Sequence, residues 1–467
     1  MQKKRKSVFP GGVHPTDGSD KALSKDAAIK QYLPDTVTIL SEQSFGGKCR
    51  LLVKPGDKVK AGQLIGEPEA FMAAPLHASM SGTVLDVKEV MNQGRAILAC
   101  VIGREEEEME GYAAEQTGNA AAYRKEAADI RQISREEILA GLRDGGLTGM
   151  GGAGFPTHKK YETDKSIDTL LINGAECEPY LTCDYRLMLE EGYALLNGVR
   201  LLLKGSGAKQ AYVCLEDNKP QAAENLKEIL SGMRKSGVME DGEQIEIAVL
   251  PTKYPEGGER QLIQAVTGRE VPMGGLPADV GVIVSNVATA RAAADMILGG
   301  LPLIRRIVTV TGCVKEPGNY LVPVGTSAKE LVELAGGVTV EKNRIIAGGP
   351  MTGPCVASDW NGEDELFYIT KNTSGILVLP DSACEEQPCI RCGGCESVCP
   401  AGLTPWQIDF AFQQEDYDLC EKLYASECIA CGCCSYICPA KRELTLRTRM
   451  ARDAVKQRMR ERAVKKA

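Results

Sequence analysis

Two stretches near the C-terminus repeat one cysteine pattern, CIRCGGCESVCP at residues 389–400 and CIACGCCSYICP at residues 428–439. In each stretch, three cysteines separated by two residues are followed after three residues by a fourth cysteine and a proline. This spacing is typical of paired [4Fe–4S] clusters, because a tight loop reaches three irons of one cubane while the fourth cysteine crosses to the other cubane. The proline removes a backbone donor and turns the chain away. The repeat therefore predicts a protein that moves single electrons.

The crossed pairing assigns four ligands to each cluster. The predicted ligands of the first cluster are Cys389, Cys392, Cys395 and Cys438, and those of the second are Cys428, Cys431, Cys434 and Cys399. A zinc site is the alternative, but a zinc ion takes four ligands in paired knuckles, and a run of four cysteines with this spacing is not the zinc pattern. Cys384 and Cys433 lie outside the repeat, and we predict that they are bystanders.

Composition limits the remaining possibilities. A chain of 467 residues is long enough for roughly three to four domains. Eighteen cysteines without a secretion signal indicate a reducing compartment rather than a disulfide framework. The net charge of −8 disfavours nucleic-acid binding. Because no stretch reaches about 18 uncharged apolar residues, we expect no transmembrane segment.

The C-terminal tail has the opposite charge to the chain as a whole. Residues 441–467 contain eleven Lys or Arg residues and three Asp or Glu residues, with apolar positions at helical spacing. This pattern predicts a basic surface helix. A solvated helix terminus and a docking element for an acidic partner or anionic lipid both remain open.

The N-terminal part predicts a β domain. Residues 36–103 contain short strands separated by Gly and Pro turns. Residues 53–66 and 74–84 resemble the two halves of a biotinyl- or lipoyl-type barrel-sandwich, in which a lysine at a hairpin tip holds the cofactor. The corresponding stretch here, EAFMA at residues 69–73, has no lysine. We therefore expect residues 1–105 to have this fold without the carrier function, followed by a partly helical linker over residues 106–133.

The rest of the chain divides into three predicted domains. Residues 134–306 open with a capping box at Ser134 and alternate buried strands with helices, which predicts an α/β domain with a mostly parallel sheet. Residues 307–371 turn β-rich again and predict a small β-grasp domain. Residues 372–467 carry the two cysteine runs with flanking helices. The predicted fold class is thus multidomain, combining a barrel-sandwich hybrid, a Rossmann-like α/β domain, a β-grasp and an α-helical ferredoxin-like domain.

A glycine-rich loop, GMGGAGFPT at residues 149–157, begins the α/β region. Such a loop lets the backbone approach a phosphate group and present amide donors to it. Its spacing is neither that of a Walker loop nor that of a dinucleotide fingerprint, so the loop alone is weak evidence. Three other segments strengthen the prediction of a nucleotide site. Two of them lie at strand ends, where open α/β sheets bind ligands. These segments are NGAECEP at 173–179, YPEGGER at 254–260 and VSNVAT at 284–289.

This set of segments, in this order, resembles the flavin-binding subunit of respiratory complex I and of related NAD-linked hydrogenases. The resemblance implies that FMN contacts Gly151, Gly152, Gly154, Lys160, Asn173 and Asn286. It implies that the nicotinamide pocket is shaped by Phe155, Glu176, Glu178 and Glu259. The same segments add four residues to the predicted cofactor site, namely Gly149, Ala153, Tyr254 and Thr289. Met150 and Ala175 stand where that family usually has arginine and aspartate, so the phosphate or ribityl contacts are expected to differ.

The order of segments along the whole chain carries a second resemblance. The opening FPGGVHP at residues 9–15 precedes the lysine-free barrel-sandwich, the flavin module follows, and TGCVKEPG at residues 311–318 belongs to a β-grasp of the kind called SLBB. With the double cysteine motif, this order resembles the C subunits of Rnf complexes, which are ion-translocating ferredoxin:NAD oxidoreductases.

That resemblance implies a peripheral electron-transfer subunit on the cytoplasmic face of the cell membrane. Its cofactors would be FMN and two [4Fe–4S] clusters, its substrate NAD(H), and its partners the integral membrane and iron–sulfur subunits of the complex. A flavin suits this position because it links two-electron hydride transfer to one-electron carriers. Two alternatives stay open at this point: a soluble flavin and iron–sulfur cobalamin reductase of a diol-utilisation compartment, and an electron-wire protein that holds clusters but no flavin.

Overall fold

The computed structural model describes residues 9–105, 129–239, 242–382 and 384–466. The predicted linker at 106–133 lies outside the described residues except for its last five positions, where Asp129–Arg131 form a 3-10 turn. Within the described ranges, no helix combines the length and the apolar character needed to cross a membrane.

The N-terminal unit consists of two small antiparallel sheets around a common core. Their strand orders are β2-β8-β7-β4 and β3-β5-β6, and apolar side chains from all seven strands meet in one cluster. A separate first strand, β1, joins another sheet described below. The strands are β1 (Ile29–Gln31), β2 (Thr36–Leu40), β3 (Cys49–Leu51), β4 (Lys58–Val59), β5 (Leu64–Pro68), β6 (Leu76–His77), β7 (Gly82–Asn92) and β8 (Arg95–Arg104).

The second unit is the predicted α/β domain with a parallel sheet, and the structure places helices on both faces of this sheet. The strand order is β11-β10-β9-β12, and separate apolar clusters fill the two faces. Ser134 accepts a hydrogen bond from Glu137 N and completes the predicted capping box. The strands are β9 (Thr169–Asn173), β10 (Gln210–Glu216), β11 (Gln244–Leu250) and β12 (Val282–Asn286); the helices are α1 (Arg135–Asp144), α2 (Thr157–Tyr161), α3 (Cys183–Glu190), α4 (Gly192–Ser206), α5 (Pro220–Lys235), α6 (Glu259–Thr267) and α7 (Val287–Gly299).

The third unit is a six-stranded mixed sheet with the order β1-β14-β13-β17-β15-β16. Strand β1 runs parallel to β14, so the N-terminal segment completes an edge of this sheet. Strand β17 lies beyond the predicted division at residue 371, so the sheet extends into the region that the sequence assigned to the cysteine runs. The remaining strands are β13 (Arg305–Gly312), β14 (Gly318–Pro323), β15 (Asn343–Ala347), β16 (Cys355–Ser358) and β17 (Gly375–Pro380), and one helix, α8 (Ala328–Leu334), belongs to this unit.

The C-terminal unit contains short helices around the cysteine loops. A small apolar core forms between them and the long last helix, which packs through Ala451 and Val455. The helices are α9 (Gly394–Ser397), α10 (Pro405–Gln413), α11 (Tyr417–Lys422), α12 (Cys433–Ile437) and α13 (Leu444–Lys466). Helix α13 is the predicted basic helix.

A buried lysine joins three of these units. The Nζ atom of Lys371 donates hydrogen bonds to Pro75 O at 2.7 Å and to Gly146 O at 2.8 Å. The backbone N–H of Lys371 donates to Gln43 Oε1 at 3.2 Å. One side chain thus holds the barrel-sandwich against the chain that leads into the glycine loop. Burial lowers the pKa of Lys371 to about 8.

We predict that Lys371→Met destabilises the junction, because methionine fills the space of the lysine stem but leaves the Pro75 and Gly146 carbonyls without this donor. The expected loss is roughly 2–4 kcal/mol, measured as a lower midpoint in urea-induced unfolding. Lys88→Met is the matched control, since that side chain is 56% exposed. Equal midpoints for the two variants would contradict a role for Lys371 as a clamp.

Candidate functional site

A cleft of about 640 Å³ opens at the carboxyl ends of β9 and β12, beside the glycine-rich loop. Asn173 is the last residue of β9 and Asn286 is the last residue of β12, and the two are paired in register. This is the edge of an open α/β sheet where ligands are generally bound. The predicted residues that line the cleft are Gly149, Gly151, Gly152, Ala153, Gly154, Phe155, Lys160, Asn173, Glu259, Asn286 and Thr289.

The two asparagines hold the loops that form the cleft. Asn173 donates to Gly257 O at 2.8 Å and so fixes the loop before α6. Asn286 caps α7 by accepting from Ala288 N, and it donates to Asp184 Oδ2 at 2.7 Å. These bonds orient both side chains before any ligand enters.

Lys160 places a positive charge at the cleft wall. Its Nζ atom donates to Glu259 Oε1 at 2.9 Å and to Val284 O at 3.1 Å. The Glu259 side chain is 43% exposed, so the pair borders solvent. The ammonium group of Lys160 therefore lies where an anionic ligand that enters the cleft can reach it.

Three predicted residues lie outside the cleft. The first, Glu176, has a φ of 46°, and its carboxylate accepts hydrogen bonds from Asp184 N at 2.7 Å and Tyr185 N at 3.2 Å. It therefore caps the first turn of α3. Desolvation raises the pKa of Glu176 to about 7, against the attraction of Lys21.

Glu178 and Tyr254 point towards other units. The Glu178 carboxylate accepts from Met351 N at 3.0 Å and from Thr352 Oγ1 at 2.5 Å, which ties its loop to the six-stranded sheet. The Tyr254 hydroxyl donates to Cys431 O at 2.7 Å. Neither side chain belongs to the set that lines the cleft.

Sequence reasoning missed several cleft residues, of which Thr157 is the most informative. Its Oγ1 atom is buried in the cleft wall and has no hydrogen-bond partner among the described residues. Lys159 and Glu162 line the outer part of the cleft and form an ion pair at 2.9 Å. The signal was the Phe-Pro-Thr end of the glycine loop, where Pro156 stands at the N-cap of helix α2 and Thr157 is the first residue of that helix.

The cleft fits a flavin nucleotide. The glycine loop leaves open space at Gly152, where an added Cβ would meet nothing within 4 Å. Thr157 supplies an unpaired hydroxyl, and Lys160 supplies a cation, which suit the polar chain and phosphate of FMN. Glycine at 154 is required by a φ of 71°.

Met150 does not line the cleft, although its neighbours in the glycine loop do. Its side chain is buried in the core, its N–H donates to Thr289 Oγ1, and its carbonyl accepts from buried Arg306 at 2.8 Å. The backbone of Met150, rather than its side chain, thus anchors the glycine loop to Thr289 and Arg306.

The predicted cluster ligands line two separate cavities. One cavity is lined by Cys389, Cys392, Cys395 and Cys438, and the other by Cys399, Cys428, Cys431 and Cys434. In each cavity, three cysteines come from one run and the fourth comes from the other run. Four thiols around one space are the donor set of a [4Fe–4S] cluster. Cys433 also lines the second cavity, so it lies closer to this site than its position outside the repeat indicated.

A strap formed by residues 9–14 lies between the second cavity and the α/β unit. Gly12 N donates to Val398 O at 2.8 Å, and Val13 exchanges two backbone hydrogen bonds with Tyr254, at 2.8 and 2.9 Å. A Cβ at Gly11 would lie 2.7 Å from the Cys399 carbonyl. The strap therefore spaces a cysteine loop from the loop that leads into the cleft.

A second set of contacts links the surroundings of the strap to the cleft. Gly257, which lines the cleft, donates its N–H to Cys177 Sγ at 3.3 Å. Cys177 packs in one apolar cluster with Tyr254, Cys431 and Cys433. The cleft and the second cavity are thus separated by packed protein.

Comparison with family models agrees with this architecture. The chain matches the RnfC barrel sandwich hybrid domain over residues 7–108, the Nuo51 FMN-binding domain over residues 142–295 and the SLBB domain over residues 307–354. These matches confirm three of the predicted folds. Together with the cysteine-rich region, they define a flavin- and iron–sulfur-binding protein of electron transport.

Curated relatives identify the family. The chain is 38% identical to the C subunit of the proton-translocating ferredoxin:NAD(+) oxidoreductase complex of Clostridium ljungdahlii, over 89% of this chain and 87% of that one. It is 38% identical to the Na(+)-translocating counterpart of Acetobacterium woodii, over 95% and 96% of the two chains. The chain therefore belongs to the RnfC family, the C subunits of ion-translocating ferredoxin:NAD(+) oxidoreductase complexes. A crystal structure of NAD+-reducing [NiFe]-hydrogenase in the H2-reduced state aligns with a TM-score of 0.49 at 22% identity, over 70% of this chain and 61% of that chain.

We predict that Gly12→Ala loosens the cysteine-bearing unit. Gly12 has a φ of 82°, and an added Cβ would lie 2.7 Å from Tyr254 O, so alanine adds a backbone clash to the conformational cost. Limited proteolysis should cleave the segment after residue 384 several times faster than in the unmodified chain. Gly94→Ala is the control, because Gly94 has a φ of 78° with nothing within 4 Å. Gly94→Ala should therefore lose only the free energy of about 1–2 kcal/mol that alanine costs at a positive φ. Equal cleavage in both variants would contradict the strap's role.

Proposed function

We propose that this chain is the subunit of a membrane-bound complex that exchanges electrons between NAD(H) and the other subunits. FMN occupies the glycine-loop cleft, and one [4Fe–4S] cluster occupies each cysteine cavity, within an α-helical ferredoxin-like domain. The relatives named above are subunits of complexes that translocate protons or Na+ and act on ferredoxin and NAD(+). The expected location is the cytoplasmic face of the cell membrane, where the protein is held by its partners.

The crossed sorting of the cysteines is the observation that carries this proposal. Folding brings the last cysteine of each run to the first three cysteines of the other, although the runs are separated in sequence. A zinc site needs no such exchange, because each run already contains four thiols. The exchange is what two neighbouring cubanes require. We assign the cluster ligands accordingly.

The cleft supplies the other half of the proposed function. A bound flavin links two-electron hydride transfer from a nicotinamide to one-electron acceptors. The protein's part is to bind and orient: the glycine loop presents backbone amides, Lys160 and Thr157 meet the polar chain, and Asn173 and Asn286 hold the two strand-end loops. Phe155 and Glu259 border the space left for the nicotinamide.

Glu176, Glu178 and Tyr254 take different roles in this proposal from those that the resemblance implied. Glu176 and Glu178 hold the loop after β9 against α3 and the six-stranded sheet, and Tyr254 holds the loop before α6 against the second cysteine cavity. We therefore expect Glu178→Ala to weaken the packing of this loop rather than to remove a contact with NADH. We propose the domain bounds expected from the sequence, with two exceptions: β1 places residues 29–31, and β17 places residues 375–380, in the six-stranded sheet.

Gly152→Asp tests the flavin site. The new carboxylate would stand in the open space of the cleft and repel the phosphate, so the affinity for FMN should fall on the order of a hundredfold. Flavin fluorescence titration of the apoprotein measures this affinity. Gly232→Asp is the control, since Gly232 also has nothing within 4 Å but lies on α5, away from the cleft. Unchanged FMN affinity in Gly152→Asp would refute the site.

Cys395→Ala tests the cluster assignment. The variant should lose about half of its iron and acid-labile sulfide, because one cavity keeps three thiols while the other keeps four. NADH should still bleach the flavin absorbance. Cys384→Ala serves as the control, because Cys384 is an exposed cysteine outside both cavities. A full iron content in Cys395→Ala, or zinc in place of iron in the unmodified protein, would contradict the assignment.

A further inference from the structure

The two cysteine cavities differ in how far the rest of the chain covers them. In the first cavity, Cys389 and Cys392 are exposed. In the second cavity, the four predicted ligands are buried or only partly accessible. The first cavity therefore has the ligand thiols that another protein can approach directly.

The cover of the second cavity comes from the α/β unit, the strap and the six-stranded sheet. Tyr254 donates to Cys431 O, and the strap lies on Val398 and Cys399. Gly432 packs so closely on Met351 that a Cβ would lie 2.6 Å from the Met351 carbonyl oxygen. These contacts turn the second cavity towards the cleft and leave the first cavity at the surface.

The surface around the exposed cysteines is apolar at its centre. Its edge carries the cations Arg391 and Lys441, and the nearby carboxylates of Glu386 and Glu396 are already bonded to other side chains. Ile390 is 69% exposed and Ile437 is 39% exposed, and an added Cβ at Gly394 would meet Ile437 at 4.0 Å. Arg391 is exposed and lies over the Trp406 ring at 5.7 Å. We call the four residues Ile390, Arg391, Ile437 and Lys441 the cysteine rim.

The charge of the cysteine rim indicates the charge of its partner. Arg391 and Lys441 form no ion pair with a carboxylate in the described ranges, whereas Arg442 and Arg447 nearby are paired with Asp409 and Glu386. Two unpaired cations beside exposed apolar side chains suit a partner surface that carries carboxylates around an apolar centre. Contacts between electron-transfer proteins are typically small, with less than about 1,200 Å² of total buried surface.

We propose that the cysteine rim is the docking surface for a partner protein that holds a one-electron redox centre beneath an acidic surface. This inference rests on the proposed function. Each encounter transfers one electron, so that one protein is oxidised as the other is reduced, and no covalent bond forms or breaks. The basic residues attract the partner, and the apolar centre brings the two redox sites close.

A groove beside Cys428 is the rival surface. It has a volume of about 500 Å³ and is lined by Lys456, Met459 and Arg460 of α13 and by Arg260, which is paired with Glu427 at 2.9 Å. Met459 is 47% exposed, so a substitution there should be tolerated as well as one at Ile390. The pair Ile390→Glu and Met459→Glu therefore separates the two surfaces.

The test uses the whole complex in membranes, with a photoreactive amino acid placed at position 390 or at position 459. We expect position 390 to cross-link to a subunit that carries an iron–sulfur or flavin centre, and position 459 not to do so. Ile390→Glu should lower the rate of electron exchange with the other subunits at least tenfold, while Met459→Glu leaves it unchanged. Arg391→Glu should also make this rate less sensitive to salt, because the attraction it removes is screened by ions. Iron content and NADH-dependent flavin bleaching verify that each variant is intact.

Three outcomes would overturn the inference. They are a cross-link from position 390 to a second copy of this chain, a cross-link only to lipid or to a protein without a redox centre, and a larger loss in Met459→Glu than in Ile390→Glu. In each case, flavin bleaching by NADH in the unmodified protein shows that the proposed function itself still stands. If the unmodified protein holds no clusters, or if NADH does not bleach its flavin, the proposed function fails instead.

Discussion

The close packing of a glycine strap between two backbones is the constraint on which the arrangement of units depends. Gly11 and Gly12 both have positive φ values, and an added Cβ at either position would lie within 2.7 Å of a backbone atom of Cys399 or Tyr254. A side chain there would have to move either the cysteine loop or the loop that leads to the cleft. Electron transfer depends on short separations between centres. The strap fixes the approach of the second cavity to the α/β unit together with the direct contacts Tyr254–Cys431 and Arg260–Glu427.

Two buried lysines hold the loop after β9 in place. Lys219 donates to Ala175 O at 2.6 Å, and Lys21, from the N-terminal segment, donates to Glu178 O at 2.9 Å. Burial lowers the pKa of Lys21, against the attraction of Glu176. A buried cation retained at such a cost must satisfy several acceptors at once. Both lysines do so. With the bonds of the Glu178 carboxylate, they tie the loop to the N-terminal segment, to its own α/β unit and to the six-stranded sheet.

The parts of the site that the sequence predicted are those that local geometry determines. Cysteine spacing depends on how a loop wraps a cubane, and strand ends such as Asn173 and Asn286 follow from the alternation of strands and helices. The surroundings of Glu178 could not be predicted, because its partners, Met351 and Thr352, lie more than 170 positions away in the chain. The surroundings of Glu176 could not be predicted either, because the positive φ of this residue turns its carboxylate back onto α3. Neither feature leaves a periodic pattern that spacing or composition can reveal.

The barrel-sandwich has a structural role beside the glycine loop. Where carriers place a lysine that must swing freely, this chain places Phe71 near the tip, and Lys159 of the cleft lies 4.1 Å from its ring. Phe45 N donates to Gly154 O at 3.0 Å, and the Phe45 ring lies 6.4 Å from that of Phe155. The barrel-sandwich contacts the glycine loop at Gly154, and Lys371 joins it to the chain that leads into that loop, so the unit supports the loop although the residues that line the cleft all come from the α/β unit.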